Sequence, residues 1–330
     1  MKGRRLSLLA LVACAALAAC GTQSSGGRTL HRLTVGLTYI PNIQFAPFYA
    51  ADALGYYRDA GLDVALRHHS FSEDEFGAIA SGKEDVVFAG GDEMLQARDH
   101  DIHLVDVATV YQRYPVGLIV PEASSIRTPA DLRGHTVGTP GPYGETYFGL
   151  LSLLKSAGLS RSDVNVQYIQ FTQVAALTGH KADAVMGYLN NESVQLRAAS
   201  FPVRTLALSD VVPSLPLVSN GLGALESELK AHPEDVSSFV GATLRGVQYV
   251  EEHPDRVIDL SKRYVPGLDQ SRNTASARAV LDATLPLWRG GRPGYNDPTT
   301  WSEMARFMAA SGLLSKAVDS GSAYSNQYLG

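Results

Sequence analysis

LTVGLTYIPNIQFAPFYAADALGYYRDAGLDVAL, residues 33–66, holds a strand, a turn, a helix and a second strand in one run. Leu33–Leu37 is apolar and β-branched, as buried strands are. Phe45–Ala60 carries apolar residues at helical spacing and stops at Gly61, which suits a helix C-cap, after which Leu62–Leu66 reads as the next strand. Downstream, Phe76–Ser81 reads as a short helix stopped by Gly82, and Asp85–Ala89 as a strand running into Gly90–Gly91. Met94–His100 is a helix, and Leu104–Val110 and Val116–Val120 are two more strands. This order predicts an α/β fold in which a mostly parallel sheet is flanked by helices.

A second unit of the same kind follows. Thr128 caps a short helix that ends at Gly134, and the strand His135–Thr139 empties into Pro140–Gly144 ahead of the helix Thr146–Ala157. Val164–Tyr168, Gln173–Gly179, Ala182–Gly187 and Val203–Leu208 continue as strand, helix, strand and strand. The Pro-rich passage Val212–Pro216 leads back towards the first unit. From Leu225 the chain is mainly helical, with Glu234–His253 long and amphipathic and Trp301–Ser311 a further helix.

At the N-terminus Lys2, Arg4 and Arg5 precede the apolar run Leu6–Ala19, which is too short to span a bilayer, and Leu17-Ala18-Ala19-Cys20-Gly21 has the form of a lipoprotein signal. The expectation is a signal peptide over residues 1–19, a lipidated Cys20, and a Gly/Ser-rich tether over 20–31 that holds the folded part at the extracytoplasmic face of the cell membrane. Cys14 and Cys20 are the only cysteines, so the mature part has no disulfide, thiolate nucleophile or cysteine metal site. The net charge of −5 becomes more negative once the leader is removed, and no basic cluster offers itself to nucleic acid. Serine-hydrolase, zinc-protease and phosphate-loop motifs are missing. His68–His69 and the pair His100 and His103 have no obvious third ligand, so neither metal nor cofactor is expected.

Ligands of open α/β sheets sit beyond the carboxyl ends of the strands, and four loops qualify. They present Tyr39 and Asn42; Gly91, Asp92 and Glu93; Tyr143, Gly144 and Glu145; and Tyr188, Asn190, Asn191 and Glu192. Tyr39 can stack on a flat ligand, whereas Asn42 also suits a turn and Asp92 a helix cap. Glu192 can accept two parallel hydrogen bonds from a ligand or simply favour the start of its helix.

Leu37–Asn42, Phe45–Ala51, Gly55–Tyr57 and Gly61–Val64 together resemble the opening of solute-binding proteins related to the thiamine-pyrimidine synthases of yeast. Thr128–Gly134 followed by Thr136–Gly138 is similar to the start of their second lobe, and Ala184–Glu192 to the stretch that closes their pyrimidine pocket. The resemblance runs from about Leu33 to Pro298. It implies a two-lobed periplasmic-binding fold of the second type, with lobe 1 expected over 32–119 and 218–330, lobe 2 over 120–217, and the ligand between them. It also implies a monomer that works with an ABC permease and ATPase and binds without turnover, since the cysteine motif of the yeast enzymes is missing.

The implied ligand is a flat nitrogen heterocycle. Glu192 suits an aminopyrimidine, so a thiamine precursor such as formylaminopyrimidine or hydroxymethylpyrimidine ranks first. The paired amides Asn190 and Asn191 complement a flavin edge, which makes riboflavin the alternative. Tyr39 stands where pyrimidine-binding relatives often have Trp. Single-turnover pyrimidine synthesis and sulfonate binding are weaker alternatives; the latter needs a cation, for which Arg113 is the nearby candidate. The Pro140–Glu145 loop resembles the anion-holding glycine loop that some relatives place at a helix start.

Overall fold

The computed structural model describes residues 29–70, 73–74, 76–212 and 216–330. The expected signal peptide, Cys20 and the tether up to residue 28 lie outside them. The strands in chain order are β1 (His31–Leu37), β2 (Leu62–His68), β3 (Val86–Gly90), β4 (Leu104–Thr109) and β5 (Val116–Pro121). They continue with β6 (Thr136–Thr139), β7 (Asn165–Tyr168), β8 (Ala184–Tyr188), β9 (Val203–Ala207) and β10 (Asn220–Leu225). One five-stranded sheet has the order β2-β1-β3-β10-β4 and the other β7-β6-β8-β5-β9.

Both sheets follow one plan. In the first, β1 pairs in parallel with β2 and β3, while β10 runs antiparallel between β3 and β4. In the second, β6 pairs in parallel with β7 and β8, while β5 runs antiparallel between β8 and β9. β5 follows β4 after residues 110–115, and β10 follows β9 after the helix Leu208–Val211, whose Leu208 packs in the core of the second half. The two halves are thus joined by two crossings.

Packing follows from composition. The inner strands of the first sheet are mostly apolar, with Val35, Leu37 and Val86 fully buried, and the helices Ala46–Ala53 and Pro233–Glu252 close over them through Phe48, Phe239 and Val240. Each such side chain contributes roughly 1.5 to 3 kcal/mol on burial. The helix Pro298–Ala310 packs differently: Trp301, Met304 and Met308 touch Leu95 of the helix Gly91–Asp99 and Phe148 of the helix Gly144–Ser156, one from each half. No helix among the described residues is long and apolar enough to cross a membrane.

Three expectations are corrected. The helix expected over Phe45–Ala60 is a 3-10 turn at Ile43–Phe45 followed by the helices Ala46–Ala53 and Tyr56–Asp59, because Gly55 takes a left-handed conformation at φ +80° and breaks the run. Val116–Val120 belongs to the second sheet, so the crossing falls at 110–115 and residue 119 lies inside β5. Finally, β10 was not expected, because its sequence NGLGAL reads as a loop. Its glycines are steric: a Cβ at Gly221 would stand 2.2 Å from the Asp106 carboxylate on β4.

Candidate functional site

The carboxyl ends of the parallel strands of both sheets face one cleft. From the first half come Tyr39 after β1, Glu93 in the first turn of its helix and Asn220 at the start of β10. From the second come Tyr143, Gly144 and Glu145 after β6, Phe171 after β7, and Tyr188, Asn191 and Glu192 around the end of β8. Eight of the twelve expected residues therefore line one space.

The other four stand behind it. Asn42 caps the 3-10 turn, accepting from Gln44 N at 3.1 Å, and donates across the cleft to Asn191 Oδ1 at 3.4 Å. Gly91 packs beneath Val218 and Trp301. Asp92 is fully buried inside the first turn of the helix Gly91–Asp99 rather than ahead of it as a cap, and accepts from Tyr114 Oη at 2.7 Å. Asn190 donates to Gln44 Oε1 at 3.1 Å and to Thr284 Oγ1 at 2.8 Å, which ties β8 to the helix Ser271–Trp288.

One side of the cleft is aromatic. Tyr39 meets Phe171 edge-on, with ring centroids 4.6 Å apart, and Phe45 and Phe88 extend the same surface. Burial, then the charge of Glu192, hold the Tyr39 phenol well above its usual range, so it stays neutral. Phe171 escaped notice although the strand-end rule applies to β7 as it does to β8. Asn220 could not be found, because β10 itself was unrecognised.

The other side is acidic. Glu93 Oε2 accepts from Gly90 N at 2.6 Å, and its Oε1 accepts from Glu145 N at 2.8 Å across the halves. Tyr188 Oη donates to Glu145 Oε2 and lies 3.3 Å from Asn220 Oδ1. Burial first, and then the neighbouring carboxylates, raise Asp92 and Glu145 well above the ordinary carboxyl range. Glu192 is pushed up to about 7 by burial, although Tyr188 N and Asn191 Nδ2 each donate to it at 2.8 Å.

Among the described residues the lining includes His69 but no Lys or Arg. Arg113 is not part of it either. Among the described residues no group of His, Cys, Asp and Glu is placed to hold a metal ion. The arrangement can therefore hold a planar ring against aromatic edges and accept hydrogen bonds from its polar substituents, and it offers an anion no Lys or Arg among its described residues.

Comparison with known proteins agrees with this geometry. The NMT1/THI5 like family model matches residues 42–257. Riboflavin-binding protein RibY of Chloroflexus aurantiacus is 37% identical over 309 residues, covering 91% of this chain and 87% of RibY. The formylaminopyrimidine-binding protein of Halalkalibacterium halodurans is 28% identical over 330 residues, 96% of each chain. The periplasmic aliphatic sulphonate binding protein SsuA of Escherichia coli superposes with a TM-score of 0.68 at 18% identity, over 89% of this chain and 91% of SsuA, a likeness of fold. A chain that matches the family model over most of its length and shares this two-sheet architecture belongs to the NMT1/THI5 like family and has the fold of periplasmic binding proteins.

Proposed function

We propose that this protein is a lipid-anchored, extracytoplasmic solute-binding protein that captures a flavin of the riboflavin type in the cleft and passes it to an ABC importer. The observation that carries the ligand class is the lining of the cleft, aromatic on one side, rich in hydrogen-bonding groups on the other and without Lys or Arg among its described residues. A three-ring isoalloxazine with a hydroxylated tail offers those rings more flat surface than a single pyrimidine does, and it brings no charge that would need a Lys or Arg. The identity shared with RibY supports the same reading. Motifs alone favour the pyrimidine through Glu192, yet both of its oxygens already accept hydrogen bonds within the chain.

An aminopyrimidine is the second reading, favoured by the full-length match to the formylaminopyrimidine-binding protein. Titration of the purified protein with riboflavin, followed by flavin fluorescence, tests the first reading. Quenching that saturates at micromolar riboflavin supports it, and heat release with an aminopyrimidine alone replaces it with the second. Turnover is not proposed. The lipid anchor is tested by Cys20→Ala, which is expected to release the protein from membranes.

A further inference from the structure

The helix Gly144–Ser156 starts from a glycine at φ +78°, and its first three residues line the cleft, a position that would suit a phosphate. The Glu145 N–H, however, is already donated to Glu93 Oε1 at 2.8 Å. The other oxygen of Glu93 accepts from Gly90 N at 2.6 Å, at the start of its own helix. One carboxylate belonging to the chain thus occupies the N-terminal ends of two helices, one from each half. Beside it, Glu145 is 1% exposed and lines the cleft with Oε1 lacking a hydrogen bond. Ser219 lies near enough to ease the burial of that carboxyl, but makes no bond of good geometry with it.

We infer that Glu93 is a specificity-determining residue: its carboxylate fills the anion seat at the Gly144–Ser156 helix, so that the cleft takes an uncharged heterocycle and excludes its phosphate ester. The inference rests on the reading of the cleft as a heterocycle site. A phosphate arriving here finds the Glu145 N–H taken, two carboxyl groups in front of it and no lining Lys or Arg in any orientation. A ligand that brings hydroxyl or amino groups can hydrogen-bond to the carboxyl groups of the same lining.

Riboflavin and flavin mononucleotide differ by one phosphate group, and titrating the full chain with each at equal ionic strength gives the test. Flavin mononucleotide is expected to bind at least about 100-fold more weakly than riboflavin. In Glu93→Gln, which keeps the shape of the side chain and removes its charge, the gap is expected to fall below about 10-fold, and in Glu93→Ala to fall further. Glu145→Gln leaves the Glu93 bonds in place and is expected to narrow the gap less. A cooperative thermal melt and an unchanged far-ultraviolet circular dichroism spectrum show which variants are folded.

Wild-type affinities within about 3-fold of each other overturn the inference, as does a gap unchanged in folded Glu93 variants. A gap that closes as far in Glu145→Gln as in Glu93→Gln overturns the assignment to Glu93. If neither flavin binds the wild-type protein, the flavin reading fails instead. The same comparison is then made by calorimetry with hydroxymethylpyrimidine and its phosphate, and is judged by the same gap.

Discussion

Thr109 has one hydroxyl proton and two acceptors in reach, Asn296 Oδ1 at 2.7 Å and Asp106 Oδ2 at 3.2 Å. Trp301 Nε1 also donates to Asn296 Oδ1 at 2.8 Å, which fixes that atom as the amide oxygen. The proton goes to the shorter bond, so Asp106 faces a Thr109 lone pair and is best satisfied as the neutral acid. Burial agrees, pushing Asp106 up to about 7 against 3.8 for an exposed aspartate. Between about pH 4 and 7 the folded chain therefore binds more protons than the unfolded one, and this residue's contribution to stability falls as pH rises. Asp106→Asn presents a donor where the acid has its proton, and is expected to be more stable than wild type at pH 8 by roughly 2 to 4 kcal/mol while matching it near pH 4, in urea titrations. An unchanged difference across that window removes the neutral acid. In the cleft, Tyr39→Ala is expected to weaken flavin binding by roughly 1 to 3 kcal/mol, and Tyr39→Phe to retain most of the affinity, read by fluorescence titration.

Among the elements, β10 shows why some of the fold was legible and some was not. The parallel strands announce themselves by apolar, β-branched runs, because a strand covered on both faces has no other way to be satisfied. β10 is just as buried, yet Gly221 stands in place of bulk because the Asp106 carboxylate takes the room that a side chain would need. Gly221→Ala is expected to cost about 1 to 3 kcal/mol in urea unfolding, as overpacking does; a change under a few tenths would mean that the carboxylate can step aside. Placing β5 was beyond local pattern for a different reason, since periodicity marks a strand and says nothing of its sheet. Loops at strand ends brought eight expected residues to the cleft, whereas Asp92 and Asn190 look identical in sequence to lining residues and are separated from them only by tertiary hydrogen bonds to Tyr114 and Thr284.

At the scale of the molecule, polar contacts bridge the halves on both sides of the cleft: Asn190 to Gln44 and Thr284, Asn42 to Asn191, and Glu145 N to Glu93. Asn190→Ala removes two of these and is expected to raise the radius of gyration of the ligand-free protein in small-angle scattering, with riboflavin restoring the compact form. A radius unchanged from wild type without ligand would mean that Asn190 does not hold the halves together. The two places where the chain crosses between the sheets, from β4 to β5 and from β9 to β10, set the direction of any such motion. A door hung from two points swings about the line through them and resists twisting, so a wide mouth opens on the edge away from the hinges while the edge beside them hardly moves.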